Sequence, residues 1–351
     1  MDLNQICMKK AWPHPNFDCS HMKRILLLFL IAIISSPVAA ATQHVVAYVA
    51  LDREFSQPIL DSFARETGIR VDPVFDVEAS KTVALVNRIL AEKERPLCDV
   101  FWNNELLQTL RLKTEGALQS YDSPNAADIP SLYQDPEHYW TGFAARARVI
   151  IYNKNIIKPE AIPVSIFEWG KGGKNAGQFA LANPHFGTTS THFAALASIY
   201  GEDQLKAVVA QWKNAKVAVL AGNGPVRNDV AAGRYAYGLT DTDDALGAIM
   251  EGKPVGMLFP KEGLLIPNSV ALIQHAPHAE AGRKLIDFIL RPQTEKALAH
   301  SASAQIPLRD TIARPAQVPS IKKIGGIQVD WNRLLEAMLG AMESADRLLA
   351  R

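Results

Sequence analysis

Cysteine is nearly missing from this 351-residue chain: there are three, Cys7, Cys19 and Cys98. A disulfide framework is therefore excluded as the basis of the fold, and Cys98, inside an apolar stretch, reads as core. An excess of either charge is also lacking, with 37 basic and 36 acidic residues and a net charge of +1 at pH 7. Nucleic-acid binding needs a basic patch or stripe, and none is present. There is no G-x-S-x-G elbow, H-E-x-x-H pair or P-loop, so the common hydrolase and nucleotide motifs are absent. We read the chain as a binding protein and not an enzyme. Internal repeats and low-complexity linkers are missing too. No apolar run reaches the roughly 20 residues of a membrane-spanning helix.

The longest such run is Ile25 to Ile34. Lys23 and Arg24 precede it, and Ser35-Ser36-Pro37-Val38-Ala39-Ala40-Ala41 follows. A basic start, a short apolar stretch and an A-x-A site make a secretory signal peptide. Residues 1–41 are thus expected to be an upstream extension plus leader, with translation starting at Met22. Cleavage after Ala41 implies a periplasmic location. The remaining length suits two lobes better than one core.

Beyond the leader, strand and helix patterns alternate. His44 to Leu51 is apolar and β-branched, like a buried parallel strand. Phe55, Ile59, Leu60 and Phe63 fall at helical spacing, with Gly68 as a stop. Strands are expected at Ile69–Phe75, Asp99–Trp102, Arg148–Tyr152, Phe179–Ala182, Val217–Leu220, Tyr237–Thr240, Val255–Phe259 and Ile266–Ile273. Helices are expected over Val83–Leu90, Leu106–Leu112, after Thr191, and over Leu205–Trp212, Val226–Ala232, Asp244–Met250 and Ala279–Leu290. A last helix is expected from about Asp330 to Arg351. This alternation predicts an α/β architecture of two lobes built from βαβ units, joined by ordered strands, with a ligand cleft between them. The expected partition is 42–148 with 267–325 in lobe 1, 149–266 in lobe 2, and 326–351 packing on the lobes.

Loops at the carboxyl ends of the strands should line that cleft. They hold Asp52, Asn104, Glu105, Thr188, Thr189, Ser190, Thr191, Asn223, Asp241, Asp243 and Asp244. The carboxylates are hard oxygen donors suited to hard metal ions. One aspartate or threonine of Gly238-Leu-Thr-Asp-Thr-Asp-Asp-Ala245 is expected to cap the helix that follows. Thr188 to Thr191 sit between a strand and a helix, where hydroxyls and free N–H groups favour an anion. Arg146 and Arg148 alternate along one strand, so one should face the cleft or pair with a cleft carboxylate. Tyr235 and Tyr237, two apart on a strand, read as packing.

Several segments, in order, resemble one family: Phe63–Val71 (FARETGIRV), Cys98–Glu105 (CDVFWNNE), Arg146–Lys154 (RARVIIYNK), Ala231–Ala245 (AAGRYAYGLTDTDDA) and Ala281–Leu290 (AGRKLIDFIL). Together they resemble the periplasmic ferric-iron-binding proteins of bacterial ABC importers, a group that includes receptors for phosphonates and sugar phosphates. The resemblance implies the type II periplasmic-binding-protein fold, a monomer that closes by hinge motion, and an inner-membrane ABC permease as partner. It also implies that the Thr188–Thr191 turn holds a phosphate or carbonate. Aligned on Gly233, the paired tyrosines of the iron binders are replaced by Asp243 and Asp244. Their histidine after the first strand appears as Asp52. Their glutamate has its counterpart in Glu105, although Asn104 fits the register equally well. The resemblance thus points to Fe3+ or another hard metal ion held by Asp52, Glu105, Asp243 and Asp244, with an anion alongside. The alternative is a small phosphorylated or carboxylated solute.

Overall fold

The computed structural model describes residues 43–76 and 82–350. The expected leader lies outside them. Among the described residues no helix is long and apolar enough to cross a membrane.

The chain opens with β1 (His44–Val49), α1 (Arg53–Thr67), β2 (Arg70–Phe75), α2 (Val83–Ala91), β3 (Val100–Asn103) and α3 (Leu107–Thr114). Strand β1 pairs in parallel with β2 and β3, as the helical crossovers require. Pro73 lies in β2, at the edge of the sheet, where a missing N–H costs no ladder bond. Gly68 ends α1 in the left-handed conformation at φ 71°, with its N–H on Ala64 O.

After β4 (Leu118–Gln119) comes β5 (Thr141–Asn153), the strand that organises the molecule. All its residues are buried. The second set of elements is β6 (Phe179–Ala182), α4 (Gly187–Tyr200), α5 (Glu202–Asn214), β7 (Ala218–Leu220), α6 (Asn223–Ala231), β8 (Tyr237–Asp241), α7 (Thr242–Met250) and β9 (Val255–Leu258). Then β10 (Leu265–Ile273) returns, followed by α8 (Ala279–Ile289), α9 (Pro292–His300) and, near the C-terminus, α10 (Met338–Leu349). The strand order is β2-β1-β3-β10-β5-β8-β6-β7. From Thr141 to Ala147, β5 pairs antiparallel with β10; from Arg148 onward it pairs with β8 and β9. One continuous strand thus belongs to two ladders, and the change falls between two arginines, Arg146 and Arg148.

Several boundaries differ from those read in the sequence. Strand β5 starts seven residues before Arg148. Its lead-in, Thr141-Gly-Phe-Ala-Ala, lacks the β-branched run that marks a buried strand, and tertiary pairing supplies what propensity does not. Opposite it, Phe143 faces Asn268 and Ala145 faces Pro267, so Ala144 is an extra residue at φ 44°. This bulge is held by Glu295, whose Oε1 accepts from Ala144 N at 2.8 Å. Helix α4 starts at Gly187 and not after Thr191, so the hydroxyl cluster lies inside its first turns. Such residues have middling helix propensity and read as a turn. The expected Asp330–Arg351 helix is broken into Trp331–Leu334 and α10. The short piece touches both α3 and α4, and α10 packs on α4 and α5. Tyr237 is packing, stacked on Phe179 and edge-on to Trp169.

Candidate functional site

A cavity of about 540 Å³ lies at the carboxyl ends of the strands. Asp52 follows β1, Asn104 follows β3, Asn183 follows β6, and Asp241 ends β8; all four line it. Its other wall is made by the starts of α4, α6 and α7, through Gly187, Thr188, Thr189, Asn223, Asp243 and Asp244. Arg146 forms part of the lining from β5. Helix N-termini concentrate unpaired N–H groups and partial positive charge, so one wall offers donors and the aspartates offer acceptors.

The polar side chains fall into two sets. The first is a network around Arg148, which is fully buried and bonds through Nη1 alone, its Nε and Nη2 making no hydrogen bond. Its Nη1 donates to Asp241 Oδ1 at 2.7 Å, to Asn223 Oδ1 at 3.0 Å and to Thr188 Oγ1 at 3.2 Å. Asp241 Oδ2 accepts from Thr188 Oγ1 at 2.5 Å and from Asn223 Nδ2 at 2.9 Å. Both oxygens of Asp241 are thus engaged. Asp241 holds the N-cap position of α7, yet its side chain makes no capping bond there. The expectation of a side-chain cap fails at this residue because the arginine claims the carboxylate.

The second set faces the cavity with capacity to spare. Arg146 is 5% exposed, and its Nε and Nη2 make no hydrogen bond. Nη2 lies 3.3 Å from Asp243 Oδ2, near enough for charge attraction but without hydrogen-bond alignment. Burial works against the Arg146 charge, but Asp243, Asp241, Asp52 and Asp244 outweigh it and hold its pKa above the ordinary arginine value. Burial raises the pKa of Asp243 above its ordinary 3.8; Arg146 opposes this, and Asp241 and Asp52 reinforce it. Asp243 Oδ1 also accepts from Asp244 N at 3.2 Å, and Asp244 Oδ2 accepts from Thr240 Oγ1 at 3.1 Å. Asn104 Oδ1 and Thr189 Oγ1 are buried and unpartnered. Both residues line the cavity.

The structure separates the predicted residues accordingly. Asp52, Asn104, Arg146, Thr188, Thr189, Asn223, Asp241, Asp243 and Asp244 meet at the cavity; Glu105, Ser190 and Thr191 are not in its lining. Glu105 is buried behind the wall. Its carboxylate accepts from Leu107 N at 2.6 Å, Gln108 N at 3.0 Å, Asn103 Nδ2 at 3.0 Å and Thr191 Oγ1 at 2.6 Å. It therefore secures the start of α3 and ties it to α4, and burial raises its pKa. Expected as a metal ligand, Glu105 thus stands outside the cavity lining with its carboxylate engaged in the wall, and Asn104 is the neighbour that lines the cavity. Thr191 donates its hydroxyl to Glu105 and, like it, is outside the cavity lining. Among the described residues, Asp241, Asp243 and Asp244 offer carboxylate oxygens within 4.8 Å of one another. Asn183, Ser303, Arg227 and Glu251 also line the cavity and were not foreseen. Asn183 directly follows a predicted strand and could have been found by the same rule as Asp52; Ser303 follows α9, which carried no sequence signal.

Two ladders sharing β5, with a polar cavity at their strand ends, define the type II periplasmic-binding-protein architecture. The iron-bound HitA from Pseudomonas aeruginosa has this fold too, matching with a TM-score of 0.79 over 88% of this chain and 100% of its own at 19% identity. Residues 59–324 match the family of bacterial extracellular solute-binding proteins, and the chain belongs to that family. Relatives include iron uptake protein A1 of Synechocystis sp., 28% identical over 75% of this chain and 78% of its own length. A putative 2-aminoethylphosphonate-binding periplasmic protein of Salmonella typhimurium is 24% identical over 83% of this chain and 86% of its own.

Proposed function

We propose that this protein is the periplasmic receptor of an ABC importer, carrying a hard metal cation, ferric iron foremost, together with an anion. The observation that carries this reading is the group Asp241, Asp243 and Asp244 on the cavity wall, beside the first turn of α4. Carboxylate oxygens suit hard ions. Asp243 and Asp244 would be the ligands, with Asp52 approaching from β1; Asp241 is engaged by Arg148 and acts as their support. The anion would lie at Gly187–Thr189, where helix N–H groups and the Thr189 hydroxyl converge. Iron-named relatives support the choice of metal. In this reading the lobes 42–148 with 267–325 and 149–266 close over the cargo about β5 as a monomer, and the closed form docks on a permease without catalysis.

A second reading rests on a separate observation. Arg146 stands among the aspartates, and the cavity of about 540 Å³ greatly exceeds a bare ion. A small solute bearing an amine and a phosphonate, phosphate or carboxylate would satisfy both signs of charge, as the aminoethylphosphonate-named relative suggests. Purified protein stripped with a chelator and retitrated separates the two. Gain of thermal stability with Fe3+ supports the first reading. Gain only with sugar phosphates or phosphonates supports the second, and no shift with any metal removes the first.

A further inference from the structure

We propose that His192 pins the chain between β9 and β10 to helix α4, so that the junction Glu262–Leu264 moves with the second ladder and bending between the ladders falls on Arg146 and its partner Ile266. The inference deepens the receptor reading above by saying where closure bends, and rests on that reading only for its use. Three consecutive carbonyls of the junction are claimed by three different parts of the molecule. Glu262 O is 2.6 Å from His192 Nε2 of α4. Gly263 O accepts from Ile327 N at 2.7 Å, and Leu264 O from Arg148 N at 2.9 Å. A carbonyl can only accept, so the His192 proton sits on Nε2. The ring is fully buried, and burial followed by the Arg148 charge lowers its pKa to about 3, which keeps it neutral. The Glu262 carboxylate holds the same residue a second time, accepting from Ser165 Oγ at 2.5 Å and Ile166 N at 2.9 Å. A Cβ on Gly326 would collide with Gly263 O, so the C-terminal segment meets the junction backbone to backbone. His192 ties this meeting point to the helix whose first turn, through Thr188 and Thr189, lines the cavity.

Along β5 the anchors change sides within three residues. Ala145 exchanges backbone hydrogen bonds with Ile306 at 2.7 and 2.8 Å, and Ala144 N is held by Glu295. Ile306 is buried in the core that packs on β1 and β3. Ala147 N instead donates to Thr242 Oγ1 of α7 at 3.1 Å, and the Arg148 side chain binds Asp241, Asn223 and Thr188. Arg146 is left between these anchors, facing Ile266 across the ladder. The C-terminal segment repeats the pattern. Ile324 is buried in the same core as Ile306, and Ile327 is held by Gly263. Between them Gly325 has φ 61° and open space where a Cβ would stand. A hinge is a few residues that absorb the backbone rotation, and anchors on both sides leave these few. The Thr191 hydroxyl on Glu105, which joins α4 to α3, is rotatable and can follow such a turn. Arg146 also lines the cavity, so the pivot carries a cleft side chain with it.

The test is residue-resolved amide hydrogen exchange of the ligand-free wild type, His192→Leu and His192→Gln. In the wild type the amides of Arg146 and Ile266 should exchange at least about tenfold faster than those of Ala145, Arg148, Gly263 and Ile327. His192→Leu removes the donor to Glu262 O. It should speed Arg148, Gly263 and Ile327 by about tenfold or more while Ala145 and Ile306 keep their rates. His192→Gln, which still offers an N–H to that carbonyl, should restore the wild-type pattern. Equal rates from Ala145 to Arg148 in the wild type overturn the pivot, and this arm stands even if His192→Leu folds poorly. An unchanged junction in His192→Leu, or a uniform rise that includes Ala145 and Ile306, overturns the pin. No ligand is used, so either failure leaves the receptor reading standing. Failure of every probe in the chelator-stripped titration would remove that reading and leave the pin.

Discussion

Asp241 and Asp243 are separated by a single threonine, and they live in different chemical worlds. Asp241 lines the cavity but receives three donors, from Arg148, Thr188 and Asn223, so both its oxygens are already engaged. Asp243 shares a misaligned contact with Arg146 and borders the cavity. The same contrast separates Glu105, satisfied on every side, from Asn104, whose Oδ1 has no partner. Polar residues at a cleft thus divide into those that hold the wall in place and those that the wall holds out. Only the second kind can report on cargo.

The largest expected effect breaks the supporting side of this contrast. Arg148→Met leaves Asp241 buried without its counter-ion and should lower unfolding free energy by about 3–5 kcal/mol in urea denaturation. Glu105→Ala comes next. Losing the acceptor of four donors around α3 should cost about 2–3 kcal/mol by the same measurement. If Glu105→Gln keeps ligand affinity while lowering stability, its place behind the wall is sharpened. Asp243→Asn should do the reverse: unliganded stability should stay within about 1 kcal/mol of wild type, while ligand affinity falls by about tenfold or more.

A pH series separates the same residues by sign. The pKa of Asp243 is raised on folding. Its contribution to unliganded stability is therefore present at low pH and lost as pH rises through that raised value. A cation needs the carboxylate form, so affinity should strengthen over the same interval above 3.8. Calorimetry across that window should show the dependence in wild type and its loss in Asp243→Asn. The smallest effect expected is that of Thr189→Val. It removes an unpartnered hydroxyl, so stability should change by less than about 0.5 kcal/mol, with a modest loss of anion affinity seen by the same titration.

Much of this arrangement was legible in the sequence. His44–Leu51 and Phe179–Ala182 were readable because β-branched and apolar residues dominate them, and Gly68 marked its helix end through the left-handed cap it forms. The rule that strand ends line a cleft gathered Asp52, Asn104, Thr188, Thr189, Asn223, Asp241, Asp243 and Asp244, the acidic and amide core of the cavity lining. Illegible were the features that depend on partners distant in the chain. Nothing local distinguishes Asp241 from Asp243, because the difference lies in Arg148 and Thr188. Nothing at Asn104-Glu105 says which one turns inward, because Thr191 and the start of α3 decide it. The first half of β5 was missed because Ala144 and Ala145 carry no strand preference, and the bulge at Ala144 is fixed by Glu295, far along the chain.

The central claim is that the Asp243 side of the cleft receives the cargo while the Asp241 side supports it. Thermal unfolding of wild type and Asp243→Asn, each with and without Fe3+ plus phosphate and with 2-aminoethylphosphonate, tests it most directly. The account predicts matching transitions without ligand, a ligand-induced rise in wild type, and none in the variant. An equal rise in both proteins would contradict it.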